Sequence, residues 1–431
     1  MDLLKSIFKG DKVIWIIFLA LCLISLTEVF SAASRLTYAD GDYWAPITQH
    51  AIFLLSGAGI VVGVHSVPYR WFQVLPVFLL PVSVGLLLVV MLGGLFGDAR
   101  VNNAARWMSF MGIQFQPSEL AKMAVVISTA YILSHNQDER GATPAAFKYI
   151  MWIVCVVCGL IAPENYSTAA LLFVTVFLMM FIGRVQVRKL LAVAGVLVVV
   201  GGLFILFLQV TPNDTLREIP LGHRFTTVKA RIADFTDSEL PPPDKYDTDD
   251  NGQVAHARIA VASSGLIGCG PGNSVQRDFL SHAYSDFIYA IIIEELGLVG
   301  GIVVVVLYFW LLVRVGRIAS RCTRTFPAFL ILGIALLLVT QAMFNMMVAV
   351  GMAPVTGQPL PLISKGGTST FINCAYIGMI LSVSRYTAAQ REKEQQAAAD
   401  GQLPAALAAD SQAQSGEEPQ SAALNSDDEL K

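Results

Sequence analysis

Residues 281–297 read SHAYSDFIYAIIIEELG. An aspartate, Asp286, stands at the lip of a long apolar run, and Glu294 and Glu295 lie inside it. An ionised carboxylate in hydrocarbon costs at least ~2.5–3.5 kcal/mol on insertion scales, so such residues mark a functional site by default. A plainer role competes for Asp286. Near a helix start, aspartate satisfies orphan N–H groups and suits the positive end of the dipole. This stretch alone leaves cap and chemistry both open.

The composition around it sets the class. Hydrophobic residues make up 55% and charged residues 14% of the 431, with a mean hydropathy of +0.61. Soluble domains carry about 25% charged residues, so the chain reads as an all-α polytopic membrane protein. Ten runs are long enough, or nearly so, to span about 30 Å of hydrocarbon: 13–31, 47–64, 72–95, 119–134, 148–162, 167–183, 189–209, 286–312, 326–350 and 368–386. The strict alternation of β-barrel spans is absent from them.

Basic residues orient the bundle. With the N-terminus inside, the inner segments hold Lys5, Lys9, Lys12, Arg70, Arg140, Lys148, Arg184, Arg188, Lys189, Arg314, Arg317, Arg321 and Arg324, whereas short outer loops hold only Arg35, Arg100, Arg106 and Lys365. This positive-inside bias puts both termini in the cytoplasm. One large outer loop, 210–285, then separates spans seven and eight, and Asp286 closes it. At about 1.5 Å per residue, Glu294 and Glu295 are expected ~12–14 Å further in. The first span lacks a small-residue cleavage site and is an anchor. Residues 1–12 are a cytoplasmic N-terminus, 13–386 the bundle, and 387–431 an Ala/Gln/Ser-rich acidic tail expected to be disordered.

Several features carry less. Cys155 and Cys158 form a C-x-x-C without a second pair, which is better explained by helix packing than by a metal. Asp247-Thr-Asp249-Asp-Asn251-Gly252 matches half of a calcium loop, but the twelfth position is Arg258 instead of glutamate. No convincing ligand cluster is visible, so no cofactor is identifiable; a divalent cation is left open. Phe225, Val228, Ile232 and Phe235 share a helical face opposite Arg224, Lys229 and Arg231. That short helix could lie on a membrane surface or pack on the bundle.

Three stretches carry the chemistry. QPSELAK, 116–122, starts the fourth span, and its Glu119 and Lys122 are three apart on one helix face. The run SSGLIGCGPGNSVQR, 263–277, has glycines that let backbone N–H groups converge on an anion, with Arg277 adding charge. PVTGQPLPLISKGGTS, 354–369, is too rich in Pro and Gly for regular helix, and irregular backbone at membrane level must be buried or line a cavity. All three reach the outer side beside Asp286. Together they offer a carboxylate base, cations and backbone donors to a lipid-linked diphosphate.

These motifs closely resemble the SEDS family (shape, elongation, division and sporulation; the FtsW/RodA/SpoVE proteins) over residues 13–386. The GNSVQ before the aspartate is more like the division branch than the elongation branch. The resemblance implies ten transmembrane helices and a peptidoglycan glycosyltransferase that polymerises lipid II with a class B penicillin-binding transpeptidase. It also implies a multi-pass protein of the bacterial cytoplasmic membrane, at the division septum, beside other divisome membrane proteins and with no nucleic acid partner. By position, the family's essential aspartate is Asp286, its cavity Glu-x-x-Lys pair is Glu119 and Lys122, and its outer Arg-Trp is Arg106-Trp107. Lys122, Arg106, Arg277 and Lys365 are the expected diphosphate ligands, with Gln116, Ser118 and Ser364 as further substrate contacts.

Departures matter. Where the family reads Pro-Glu-Ala-His-Thr-Asp, this chain has Ser281-His282-Ala283-Tyr284-Ser285-Asp286, so that Glu and His are not required here. Ser-Tyr-Gly-Gly is Ser364-Lys365-Gly366-Gly367, Pro-Asp-Leu-Gly-Thr is Pro163-Glu164-Asn165-Tyr166-Ser167, and 241–251 is an acidic insertion. Competing readings are a lipid II flippase, an elongation-type polymerase and a non-catalytic scaffold. Buried ionisable groups suit translocation as well as catalysis, but no inverted repeat with paired broken helices is visible.

Overall fold

The computed structural model describes residues 9–32, 45–96, 108–110, 113–138, 141–218, 222–236, 252–280 and 285–399. Arg106 and Trp107, the whole acidic insertion 241–251, Ser281–Tyr284 and the tail from 400 lie outside the described residues. Each apolar run falls on a helix: α1 Lys12–Ala32, α2 Ala45–Ser66, α3 Leu75–Phe96, α4 Pro117–His135, α5 Pro144–Ile161, α6 Tyr166–Ile182 and α7 Val187–Val210. After the short α8 Asn213–Glu218 come α9 Gly222–Thr236 and α10 Gly252–Ser263. The chain ends with α11 Ile288–Ala319, α12 Thr325–Ala349 and α13 Thr368–Ala399. Two-stranded hairpins, Met108–Phe110 with Ile113–Phe115 and Gln137–Asp138 with Gly141–Ala142, flank α4.

Seven of these helices (α1, α2, α3, α5, α7, α11 and α12) are long and apolar enough to cross a membrane, and α6 is a shorter apolar helix. α4 and α13 carry more polar residues, among them Glu119 and Lys122 on α4 and Asn373 on α13. Only 6% of the apolar window of α7 is buried, against 67% for α12, which makes α7 the rim and α12 the axis of the bundle. α12 packs on α11, α4 and α6, while α13 packs on α2 and α3 on α4. Arg314 near the end of α11 pairs with Asp11 before α1 at 2.6 Å, so those two ends share one side of the bundle.

One difference from the sequence reading concerns a helix limit. α13 runs through 386 to Ala399, so the first part of the expected disordered tail is helical; its Ala, Gln, Glu and Lys residues are strong helix formers. The amphipathic α9 packs on the end of α7: Phe225 meets the Phe204 ring, and Lys229 donates to the Thr211 carbonyl at 2.8 Å.

Candidate functional site

The acidic run that opened the sequence reading is not one straight helix. Within α11, Gly297 sits at φ 71° and ψ −174°, outside helical geometry. The Tyr289 hydroxyl donates to the Gly301 carbonyl at 3.1 Å. Twelve residues of straight helix would separate those positions by about 18 Å. Residues 288–296 therefore fold back along the segment that begins at 298. The expected depth order, with Asp286 at the rim and the glutamates further in, is corrected accordingly: Glu294 and Glu295 stand at the bend.

The glycine-rich loop fills the break. Cys269 N and Gly270 N donate to the carbonyls of Glu294 and Glu295, while Leu298 N and Val299 N donate to those of Gly265 and Leu266. Four groups that a helix break would orphan are thereby satisfied. This close approach needs glycine on both sides. A Cβ on Gly297 would stand 2.3 Å from the Leu266 oxygen, and one on Gly268 2.4 Å from the Glu295 oxygen.

The same loop does gather backbone donors around an anion, but the anion belongs to the chain. Glu295 accepts from Gly272 N at 2.9 Å, Ser274 N at 3.2 Å and the Ser31 hydroxyl. Glu294 accepts from the Ser274 hydroxyl, Val275 N at 3.0 Å and Gln276 N at 3.3 Å. Arg277 turns to this cluster as well. It donates to Ser31 Oγ at 2.9 Å and the Gly272 carbonyl at 2.7 Å, and lies 3.9 Å from Glu295.

Asp286 lies at the other end of the folded-back segment. The N-cap of α11 is Phe287, without a side-chain cap bond, so Asp286 precedes the cap position it was expected to hold. Its carboxylate accepts from the Ser285 hydroxyl at 3.0 Å, and its carbonyl accepts from Asn345 Nδ2 at 2.8 Å. Asn345 also donates to the Gln358 carbonyl at 2.7 Å. One turn earlier on α12, Gln341 accepts from Lys122 Nζ at 2.9 Å and donates to the Pro359 carbonyl at 3.0 Å. Lys122 is fully buried and pairs with Glu119 at 2.8 Å. Two polar residues four apart on α12 thus draw together Glu119–Lys122, the 354–367 loop and Asp286.

Ser364 and Lys365 belong to that loop. The Ser364 hydroxyl donates to the Ser285 carbonyl at 2.6 Å and accepts from Leu360 N at 2.8 Å, so it ties the loop to the residue before Asp286. Leu362 beside it adopts a left-handed φ of 67°, a conformation that side chains other than glycine hold only where surroundings impose it. Lys365 is half-buried, and burial pushes its ammonium below the ordinary lysine range. Gln116 and Ser118 face elsewhere, into a cleft with Glu164 and Asn165. Among the described residues, no group of three or more His, Cys, Asp or Glu is placed to hold a metal ion.

Sequence reading missed Gln341, Asn345, Gln358 and Ser31. Two amides four apart in an otherwise apolar α12 were a visible signal, since buried polar side chains need partners. Ser31 carried none. The one-turn-earlier Glu28 is fully buried, and its carboxylate has no hydrogen-bond partner among the described residues.

Residues 11–389 match the cell cycle protein family of FtsW, RodA and SpoVE. A probable peptidoglycan glycosyltransferase FtsW from Trichlorobacter lovleyi is 31% identical over 391 residues, covering 89% of this chain and 96% of its own. One of the same description from Hahella chejuensis is 32% identical over 371 residues, covering 85% and 87%. Among solved structures, a chain of a peptidoglycan synthase complex that coordinates polymerization and crosslinking aligns with a TM-score of 0.67 at 24% identity, covering 88% of this chain and 99% of that one. The rod shape determining protein RodA of Thermus thermophilus aligns at 0.57 with 22% identity, covering 88% and 97%. At those identities the structures speak for the fold. The family match spans most of the chain and the relatives span nearly their own full length: this membrane protein belongs to the FtsW/RodA/SpoVE family.

Proposed function

We propose that this chain is a peptidoglycan glycosyltransferase of the FtsW type, polymerising lipid II into glycan strands for septal wall synthesis. The observation that carries the reading is the convergence on α12. Gln341 and Asn345 bring a buried Glu119–Lys122 pair and the loop bearing Lys365 to the backbone around Asp286. The family match and the FtsW names of the relatives support it.

In this reading Asp286 takes the proton from the 4-hydroxyl of the acceptor's N-acetylglucosamine, and that oxygen attacks C1 of the lipid-linked sugar. Undecaprenyl diphosphate leaves with its electron pair. An α-linked diphosphate becoming a β-1,4 bond requires inversion, hence one displacement without a covalent sugar–enzyme intermediate. Lys122, Lys365 and Arg106 stabilise the charge that develops on the leaving diphosphate. Arg277, tied to Glu295 and Ser31, holds the loop. Glu119 keeps Lys122 oriented, and Ser364 fixes Lys365 relative to Asp286. Gln116 and Ser118 approach the lipid part of the substrate from the start of α4.

The same reading sets the membrane frame. The ten long helices are ten spans of the cytoplasmic membrane, with both termini cytoplasmic and 210–285 a large outer loop between the seventh and eighth. A class B penicillin-binding transpeptidase crosslinks the product, and other divisome proteins place the pair at the septum. The break at Gly297 is the one feature that favours a flippase, since transporters use broken helices at their sites. Purified full-length protein given lipid II separates the readings. Glycan strands in detergent support the polymerase; lipid flipping in vesicles without polymer overturns it.

A further inference from the structure

The loop that carries Lys365 is also held from the side of α1 and α2, away from the Asp286 seam. Four of its carbonyls accept from side chains of three helices. Those of Gln358 and Pro359 accept from Asn345 and Gln341 of α12, that of Pro361 from Tyr308 of α11, and that of Ile363 from Ser25 of α1. Leu362, with its left-handed φ of 67°, lies between the last two. A leucine stays in that region only where its surroundings impose it, and Tyr308 and Ser25 hold the chain on either side.

Ser25 does not act alone. Its hydroxyl has one hydrogen, which goes to the Ile363 carbonyl at 2.6 Å. In the 2.9 Å contact with His50 Nε2 the imidazole N–H therefore donates, and it orients the hydroxyl that grips the loop. Ser25 is 0% and His50 2% exposed, so both bonds are shielded from bulk water. His50 is also close enough to the Lys365 ammonium to interact with it electrostatically. The pair thus stands beside Lys365 and holds the carbonyl two residues before it. We propose that Ser25 and His50 are positioning residues for the polymerisation: through the Ile363 carbonyl they keep Leu362 in its left-handed turn and so set Lys365 against the departing diphosphate. This rests on the glycosyltransferase reading. Being buried, the two side chains act through Lys365 and not on the sugar.

The purified full-length chain is assayed with lipid II and, separately, by hydrogen exchange without it. Ser25→Ala should lower kcat by up to ~10²-fold with KM nearly unchanged, since small misplacements of a reacting group cost that much. In a Lys365→Met background the same substitution should lower kcat little further, because residues that act through one group are not additive. His50→Leu should behave as Ser25→Ala does, and His50→Gln, which keeps an N–H donor for Ser25, should restore most of the loss. An unchanged kcat, a rise in KM alone, or equal losses in the wild-type and Lys365→Met backgrounds would overturn the inference. Exchange across 358–366 should quicken in Ser25→Ala and His50→Leu. It should not in Ser83→Ala, which removes a buried hydroxyl that donates to the Leu80 carbonyl of its own helix at 2.9 Å. Unchanged exchange in all variants overturns the hold on the loop whether or not the protein polymerises. A wild type that makes no glycan strands, with exchange responding as expected, refutes the glycosyltransferase reading and leaves the hold on the loop standing.

Discussion

Replacing Gly297 by alanine tests the broken helix on which the site's geometry rests. An L-residue in the left-handed region costs about 1–2 kcal/mol. The new Cβ would also lie 2.3 Å from the Leu266 oxygen and 2.5 Å from the Ile267 carbonyl carbon, both backbone atoms that no rotamer can move aside. The 265–270 loop must withdraw, which breaks the four backbone bonds it shares with Glu294, Glu295, Leu298 and Val299. At about 0.5–1.5 kcal/mol net each, those bonds add ~2–6 kcal/mol, for a total of ~3–8 kcal/mol. Whole domains are stable by only ~5–15 kcal/mol, so Gly297→Ala should be severely destabilised or locally rearranged. Gly201→Ala is the reference, because a Cβ there meets nothing within 4 Å and alanine favours helix. Denaturation of the two purified variants, with lipid II polymerisation beside it, gives the comparison. A Gly297→Ala protein as stable and as active as Gly201→Ala would refute the insertion of the loop into the helix.

Asp286→Asn should lower lipid II polymerisation by ~10²–10⁴ with stability nearly unchanged, because an amide cannot take the hydroxyl proton and Phe287 holds the cap position; near wild-type turnover removes Asp286 as base. Breaking the buried Glu119–Lys122 pair by Lys122→Ala should destabilise the protein by ~3–5 kcal/mol, and the double variant with Glu119→Ala should recover part of that loss. A double variant no better than the sum of the singles contradicts the pairing. Because burial lowers the Lys365 pKa, the unfolded chain binds that proton more tightly, so stability should rise with pH through the alkaline window ending at the ordinary value of 10.5. Lys365→Met should flatten that rise, and an unaltered slope in the variant sinks the assignment. Impermeant thiol reagents should label Cys269 from outside and leave a cysteine at 317 unlabelled in intact cells; the reverse pattern inverts the topology.

What was legible in the sequence depended on local pattern. The apolar runs land on helices, most with limits off by a few residues, because burial in lipid or protein demands continuous hydrophobicity and little else supplies it; α11 and α13 run on past the apolar stretch to Ala319 and Ala399. The Glu119–Lys122 pair was readable from its spacing alone. Non-local contacts were not. One glycine in an apolar run is compatible with an unbroken helix, so nothing marked Gly297 as a bend until the loop thirty residues upstream was seen to fill it. The 263–277 run was correctly read as converging donors, but a sequence cannot say whether its anion is a ligand or a glutamate twenty positions on. Asn345 and Gln341 were visible as polar residues, while their role depended on which loop reached them.

The three carboxylates of the opening stretch have different fates, and their surroundings decide which one suits chemistry. Four donors surround Glu295 and three surround Glu294, every one an N–H or O–H of the chain itself. Both are buried. Their work is to neutralise the loop's converging amides and lock the bend. That bend is what carries residue 286 away from the glutamates and against α12. There Asn345 holds its carbonyl, Ser364 holds that of its neighbour Ser285, and Gln341 holds Lys122 one turn away. Asp286 is partly exposed where the glutamates are sealed. A base must reach its substrate, and of the three carboxylates only Asp286 combines exposure with a backbone tied to α12 and a cation, Lys122, held one turn away on that helix.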